Sequence, residues 1–407
     1  MRSGASPHPE HLPEPLVVSG GAGSSCYLDY NASAPVRPEV IEAIALELGR
    51  IGNPSSVHAF GRAARRALER ARASVAALVG ASPDAVMFTS GGTEANNQAL
   101  ASVQGPCLVS AVEHASVLES APGAERLPVD ALGRVDLERL EHRLLATRPA
   151  LVSVMLANNE TGVVQPVAEV ASLAHSHGAL VHCDAVQAAG KMAVDLKALG
   201  IDFLTLSAHK LGGPQGVGAL VLRNGIEPAA LLRGGGQERR WRPGTENLPG
   251  IVGFGRACEL ALEDRDFVRR VGALRDRLET TVRAVAPGAR VHGAGALRLP
   301  NTSCLGMPGV GSQTQLIALD LAGIAVSTGS ACSSGKVGPS HVLAAMGVEP
   351  AEAACAIRVS LGWASTDADV DRFMAAWTEL YARTRHSAPS AEGSRRAALV
   401  FDQAVTT

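Results

Sequence analysis

Phe203-Leu204-Thr205-Leu206 runs directly into Ser207-Ala208-His209-Lys210-Leu211-Gly212-Gly213-Pro214. An apolar run of this length, closed by a Gly-Gly-Pro turn, reads as a strand covered on both faces, the habit of parallel sheets. Lys210 then stands just past the strand's carboxyl end, where open α/β sheets bind their ligands. The same shape recurs at residues 85–89, 107–110, 151–156 and 179–183. Between these runs, 63–79, 136–146 and 167–177 have apolar residues three and four apart, as amphipathic helices do. The expected fold is therefore α/β, with a mostly parallel sheet covered by helices.

The remainder of the chain is organised around that sheet. A helical stretch rich in Arg and Glu, about 259–285, reads as a connector, and Val291-His292-Gly293 opens a second, mixed segment. The expected division is a disordered extension over 1–26, a large domain over 38–265, a small domain made of 27–37 and 266–386, and a tail over 387–407. The 407 residues, 46% of them hydrophobic, suffice for a large core. The 37 basic residues nearly balance the 39 acidic ones, leaving a formal charge of −2. That balance gives no electrostatic reason to bind nucleic acid or an anionic membrane. No apolar run is long enough for a signal peptide or a membrane span. Seven scattered cysteines without a C-x-x-C pair suggest neither a disulfide framework nor a zinc site, so a reducing cytoplasm is expected and no metal.

Three strand ends carry chemistry. Ser90-Gly91-Gly92-Thr93-Glu94-Ala95-Asn96-Asn97 follows the first run, and its glycines before a helix suit an anion held by free backbone N–H groups. The plainer reading is a glycine turn with Thr93 as helix N-cap. Asp184 follows the fourth run. Lys210 is one of only four lysines, with 191, 197 and 336, in a chain whose other cations are arginines. A lysine retained at a strand end can form a Schiff base, which arginine cannot. Lys191 and Lys197 fall between Gly190 and Gly200, a stretch that reads as ordinary exposed chain. A phosphate cradle, an acid and a lysine together describe pyridoxal phosphate: the lysine holds the aldehyde, and the acid keeps the pyridine nitrogen protonated.

Cys332 differs from the other thiols. It lies in Ser330-Ala331-Cys332-Ser333-Ser334-Gly335-Lys336, small residues that pack no core and are expected to move, whereas Cys107, Cys258, Cys304 and Cys355 sit in apolar or helical settings. Cys183 adjoins Asp184, but successive strand side chains face opposite ways, so it should point away from the acid's site.

Tyr27-Leu28-Asp29-Tyr30-Asn31-Ala32, Gly52-Asn53-Pro54-Ser55-Ser56, Thr89-Ser90-Gly91-Gly92-Thr93-Glu94, Asn158-Asn159-Glu160-Thr161-Gly162, Ala208-His209-Lys210 and Gly329-Ser330-Ala331-Cys332-Ser333-Ser334 resemble the cysteine desulfurases. These are class-V aminotransferases of the fold-type I pyridoxal-phosphate enzymes, and the likeness runs in order from about residue 27 to 385. It implies a large domain with a mixed, mostly parallel sheet and a smaller α+β C-terminal domain. It implies that L-cysteine is converted to L-alanine while its sulfur becomes a persulfide on Cys332, passed to an acceptor such as an iron–sulfur scaffold protein. It implies a homodimer.

Residue by residue, the resemblance makes Lys210 the cofactor lysine, Asp184 the partner of the ring nitrogen, and His114 the residue stacked on the ring. Gly92, Thr93, Ser207 and His209 would surround the phosphate, Gln187 the ring hydroxyl, and Thr245 would reach the phosphate of the neighbouring subunit. Asn31, Asn159 and Arg358 would meet the substrate, the guanidinium gripping its carboxylate as a planar fork. By itself Arg358 also reads as a surface ion pair. Gln237 and Gln215 depart from the family's frequent histidine and lysine. Two further readings keep the cofactor and change the reaction, a plain class-V aminotransferase or a selenocysteine lyase. Another is an inactive scaffold for assembly partners, which the presence of both Lys210 and Asp184 argues against.

Overall fold

The computed structural model describes residues 26–329 and 340–387. Cys332, Lys336, the expected extension up to residue 25 and the tail from residue 388 lie outside the described residues.

Twelve strands are described: β1 (Cys26–Tyr27), β2 (Val86–Thr89), β3 (Cys107–Ser110), β4 (Glu125–Leu127), β5 (Leu151–Ser153), β6 (Leu180–Asp184), β7 (Phe203–Ser207), β8 (Gly218–Leu222), β9 (Arg290–His292), β10 (Thr302–Gly306), β11 (Ile324–Ala325) and β12 (Ala356–Ser360). Seven form one sheet in the order β2-β8-β7-β6-β5-β3-β4. The pairings from β7 through β4 are parallel, and β8 runs antiparallel to both β7 and β2. This is the expected mixed, mostly parallel sheet. The strand expected over 151–156 stops at Ser153. β4 and β8 were not expected at all.

Alternation along the strands divides the core into two layers. Val181, Cys183, Leu204 and Leu206 join the larger apolar cluster on one face, with helices α1 (Pro38–Leu48) and α2 (Ala59–Leu78). α2 turns Ala64, Ala67, Leu68, Ala71 and Val75 toward it, the three- and four-residue spacing of a helical stripe. The opposite face carries Phe203 under helix α3 (Gly92–Ala101), whose Ala95 and Ala99 pack there. Period two then puts His182 and Asp184 of β6, and Thr205 and Ser207 of β7, on the α3 side. A side chain at Gly218 would bring its Cβ to 2.6 Å from the Gly91 carbonyl carbon, so only glycine lets β8 pass this close to the loop entering α3.

The connector expected as one helical stretch over 259–285 is two helices, Leu248–Glu263 and Phe267–Val285. They break at Asp264, whose backbone (φ −78°, ψ 66°) leaves the helical region. Beyond it, β9, β10 and β12 form a separate antiparallel sheet. Its apolar cluster, with Leu305, Ile357, Val359, Phe373 and Trp377, also includes Cys26 and Leu28 of the early chain. The chain crosses back at Asp29, which bridges to Ser360, and this carries Asn31 and Ala32 to the mouth of the seven-stranded sheet.

Candidate active site

The carboxyl ends of β6 and β7, the start of α3, and the Asn31–Ala32 turn enclose a cavity of about 340 Å³. Its lining includes Lys210, Asp184, His114 and Gln187, then Gly92, Thr93, Ser207 and His209, and on the far side Asn31, Asn159 and Arg358. Eleven residues singled out from the sequence therefore converge on one space. Thr245 does not line it and is exposed.

Lys210 closes the single helical turn that follows β7, and its Nζ donates to the backbone oxygens of Asn31 and of Ala32, the latter at 2.7 Å. His209 beside it has its pKa pushed down to about 4, by burial first and then by Lys210 and Lys191, so its ring is neutral at pH 7. Asp184 is held by two donors: Asn96 Nδ2 to Oδ2 at 2.8 Å and the Val186 N–H to Oδ1 at 2.9 Å. Asn96 also donates to Ser116 Oγ at 2.8 Å, and that hydroxyl lies 2.8 Å from His114 Nδ1. Because the Ser116 backbone N–H also points at Nδ1, at 3.1 Å, that nitrogen is the acceptor and the ring proton resides on Nε2.

Glycine opens α3: the N-cap is Gly91, with no side-chain cap, so Thr93 is not the cap. It is an exposed residue of the first turn instead. The first N–H groups of a helix have no partner within it, and here they border the cavity together with the Ser207 side chain.

Arg358 is 1% exposed, which rules out the surface ion pair. β12 delivers its guanidinium to Asp29 Oδ1 at 2.7 Å and to the Asn159 carbonyl at 3.2 Å. Asn31 is buried, and its side chain is engaged by the protein itself: it donates to Thr302 Oγ1 and the Asn159 carbonyl and accepts from Asn301 and Lys191. Glu160 of the Asn-Asn-Glu-Thr-Gly turn is buried and its pKa raised, by burial first, while the Ser340 hydroxyl at 2.6 Å and the facing His341, Arg358 and His114 oppose the rise.

The reading of Lys191 as exposed chain is overturned. It is 5% exposed, its Nζ bonded to Gln187 Oε1 and Asn31 Oδ1, because the segment after Gln187 folds under the cavity floor. Lys197 is exposed as expected. Cys183 points into the core on the far face, and burial raises its pKa well above the ordinary thiol value, followed by the charges of Asp184 and Glu113. Asn96 and Ser116 went unassigned in the sequence. Asn96 had a readable sign, standing four residues after Gly92 and so on the same helix face.

The donor set fits pyridoxal phosphate. A lysine amine, a carboxylate fixed by two donors and an uncapped helix start share one cavity, and the buried Asn96 Oδ1 has no protein partner.

Residues 26–373 match the family described as aminotransferase class-V. A protein of Cereibacter sphaeroides named cysteine desulfurase is 49% identical over 365 residues, which are 86% of this chain and 93% of that protein. The cysteine desulfurase IscS of Dictyoglomus turgidum is 42% identical over 85% of this chain and 91% of its own. Among solved structures, a NifS-like protein from Rickettsia africae superposes with a TM-score of 0.82 at 37% identity, covering 88% of this chain and 99% of that one.

Proposed function

The chain belongs to the cysteine desulfurases of the class-V aminotransferase family, and from that premise we propose that its cavity binds pyridoxal 5′-phosphate and that Cys332 takes the sulfur of L-cysteine. The single observation that carries the reading is the convergence of Lys210, Asp184 and the open start of α3 on one cavity. When bound, the cofactor supplies an electron sink for the substrate's amino-acid carbons. Lys210 would hold its aldehyde, Asp184 its ring nitrogen, Gln187 its ring oxygen, and Ser207 with the first turn of α3 its phosphate.

The chain's own residues do the rest. Arg358, fixed by Asp29, orients the substrate through its carboxylate. Lys210, released from the Asn31 and Ala32 carbonyls, takes and returns protons at the substrate's α-carbon. His114 lines the cavity with Nδ1 taken by the Ser116 N–H, and its imidazole would pass a proton to a group leaving or entering there. The Cys332 thiolate attacks the substrate sulfur; a sulfur–sulfur bond forms as the carbon–sulfur bond breaks, its electron pair goes to the substrate carbon skeleton, the former β-carbon takes a proton, and alanine leaves. A free thiol has a pKa of about 8.5, so only a few per cent is thiolate at neutral pH without help from the site.

The persulfide then passes to an acceptor protein, and the likeness to IscS favours an iron–sulfur scaffold. We read the protein as a homodimer in which Thr245, exposed and away from its own cavity, serves the partner's phosphate site. We read the chain as a large domain and a small one divided near residue 265, a reading supported by the break at Asp264 and by the distinct apolar clusters beside the seven-stranded and three-stranded sheets. Six unpaired cysteines among the described residues suit the cytoplasm. The test is Cys332→Ser: it keeps the cofactor's visible absorption and releases no sulfide from cysteine with a thiol reductant. Full release by that variant would remove Cys332 from the reaction.

A further inference from the structure

Lys191 is a buried lysine beside the cavity that the reaction leaves unexplained. The charges it faces, Lys210 and Arg358, have its own sign, and burial, the larger effect, together with them drives its pKa well below the ordinary lysine value. Burying such a group is costly, so a core position tolerates it only when its hydrogen bonds matter.

Its Nζ donates to Gln187 Oε1 at 2.8 Å and to Asn31 Oδ1 at 3.1 Å, while Gln187 Nε2 donates to the Asn31 backbone oxygen at 3.0 Å. Charged or neutral, a lysine amine has the two N–H donors these two side-chain oxygens require. The Gln187 carboxamide is thereby defined at both ends: its oxygen must meet the amine, and its nitrogen must meet a carbonyl that can only accept. Gln187 lines the cavity, and with one Nε2 proton given to Asn31 the amide retains a second N–H that it can offer to a ligand there.

We propose that Lys191 is a positioning residue that locks the Gln187 carboxamide so that it presents a hydrogen-bond donor to the ring oxygen of the cofactor. The inference rests on the reading of this cavity as a pyridoxal-phosphate site with Gln187 at that oxygen. Without Lys191 one of the two anchors is gone: the Gln187 oxygen is left without its donor, only the Asn31 carbonyl still resists a flip, and the amide presents its N–H to the cavity less firmly. The donor to the ring oxygen is then weakened and the ring oxygen's proton is held more tightly.

The experiment is a double-mutant cycle on the holoenzyme with Lys191→Met, Gln187→Ala and the pair together, reading the pH midpoint of the cofactor's visible absorption and the cofactor's dissociation constant. Lys191→Met moves the midpoint upward by about one pH unit, the worth of one hydrogen bond, and weakens cofactor binding about tenfold. In the Gln187→Ala background it adds nothing, because the group it acts through is gone. Lys191→Gln, which keeps an N–H donor, stays near the wild-type midpoint and serves if the Met variant does not fold. A wild-type midpoint in Lys191→Met, or the same shift in both backgrounds, overturns the proposal, the latter by marking a direct charge effect. A wild-type protein with no visible band after loading with pyridoxal phosphate would overturn the cofactor reading itself, and this inference with it.

Discussion

Asn96 and Asp184 are joined by a 2.8 Å hydrogen bond from the amide Nδ2 to the carboxylate Oδ2, and the other proton of the same amide goes to Ser116, the hydroxyl beside His114. One asparagine on α3 thus orients the Asp184 carboxylate and, through Ser116, the His114 imidazole, the two groups proposed to meet the cofactor ring. Partners of this kind are worth about 10–100-fold when removed from the groups they orient.

Asn96→Ala is accordingly expected to lower kcat by about that factor, with the Michaelis constant for cysteine changed little. Steady-state rates across pH check it, together with the position of the cofactor's visible band. Wild-type kcat would mean that Asp184 and His114 hold their places without the bridge.

Arg358 is positioned from two sides, by Asp29 and by the Asn159 carbonyl, so its guanidinium enters the cavity already oriented. Arg358→Ala should raise the Michaelis constant for L-cysteine about 10–100-fold, the loss of a charged hydrogen-bonded pair of roughly 1.5–3 kcal/mol. Initial rates against cysteine concentration test it; an unchanged constant takes Arg358 out of the carboxylate site.

His182 is enclosed in the sheet between Ser153 Oγ at 2.8 Å and Thr205 Oγ1 at 3.1 Å. Burial lowers its pKa from 6.5 to about 4, with Asp184 opposing the shift. The unfolded chain takes up this proton below pH 6.5 while the folded protein resists until about pH 4, so the stability it contributes is complete above 6.5 and lost as pH falls. The loss across that window is about 3 kcal/mol. Urea unfolding at pH 7 and pH 4.5 should show a smaller drop in His182→Gln than in the wild type, and equal drops would refute the assignment.

Cys183, Cys258 and Cys304 are buried in apolar clusters, and burial raises the pKa of each. Cys183→Ala therefore releases sulfide from cysteine at the wild-type rate. A large loss there would give the reaction a second thiol.

Asp184 and Lys210 were legible because they stand at or just past the ends of apolar runs, whereas Ser207 took its role from the family resemblance. β8 and β4 were not: Gly218–Leu222 emerges from a Gly- and Pro-rich turn, and Glu125–Leu127 carries two charges in three residues. Lys191 escaped because its burial depends on Asn31, 160 residues away in the chain. Composition around Gly190 describes an exposed turn, and only the return of the early chain across β12 closes over it. The break at Asp264 was hidden by helix-forming neighbours on both sides.

The reaction proposed for the Lys210 cavity splits L-cysteine into L-alanine and transferable sulfur. Its most direct measurement follows L-alanine and sulfide together when the protein, loaded with pyridoxal phosphate, is incubated with L-cysteine and a thiol reductant. Equal amounts of the two products, both lost in Lys210→Ala, are predicted. A keto acid in place of alanine, or alanine without sulfide, would contradict it.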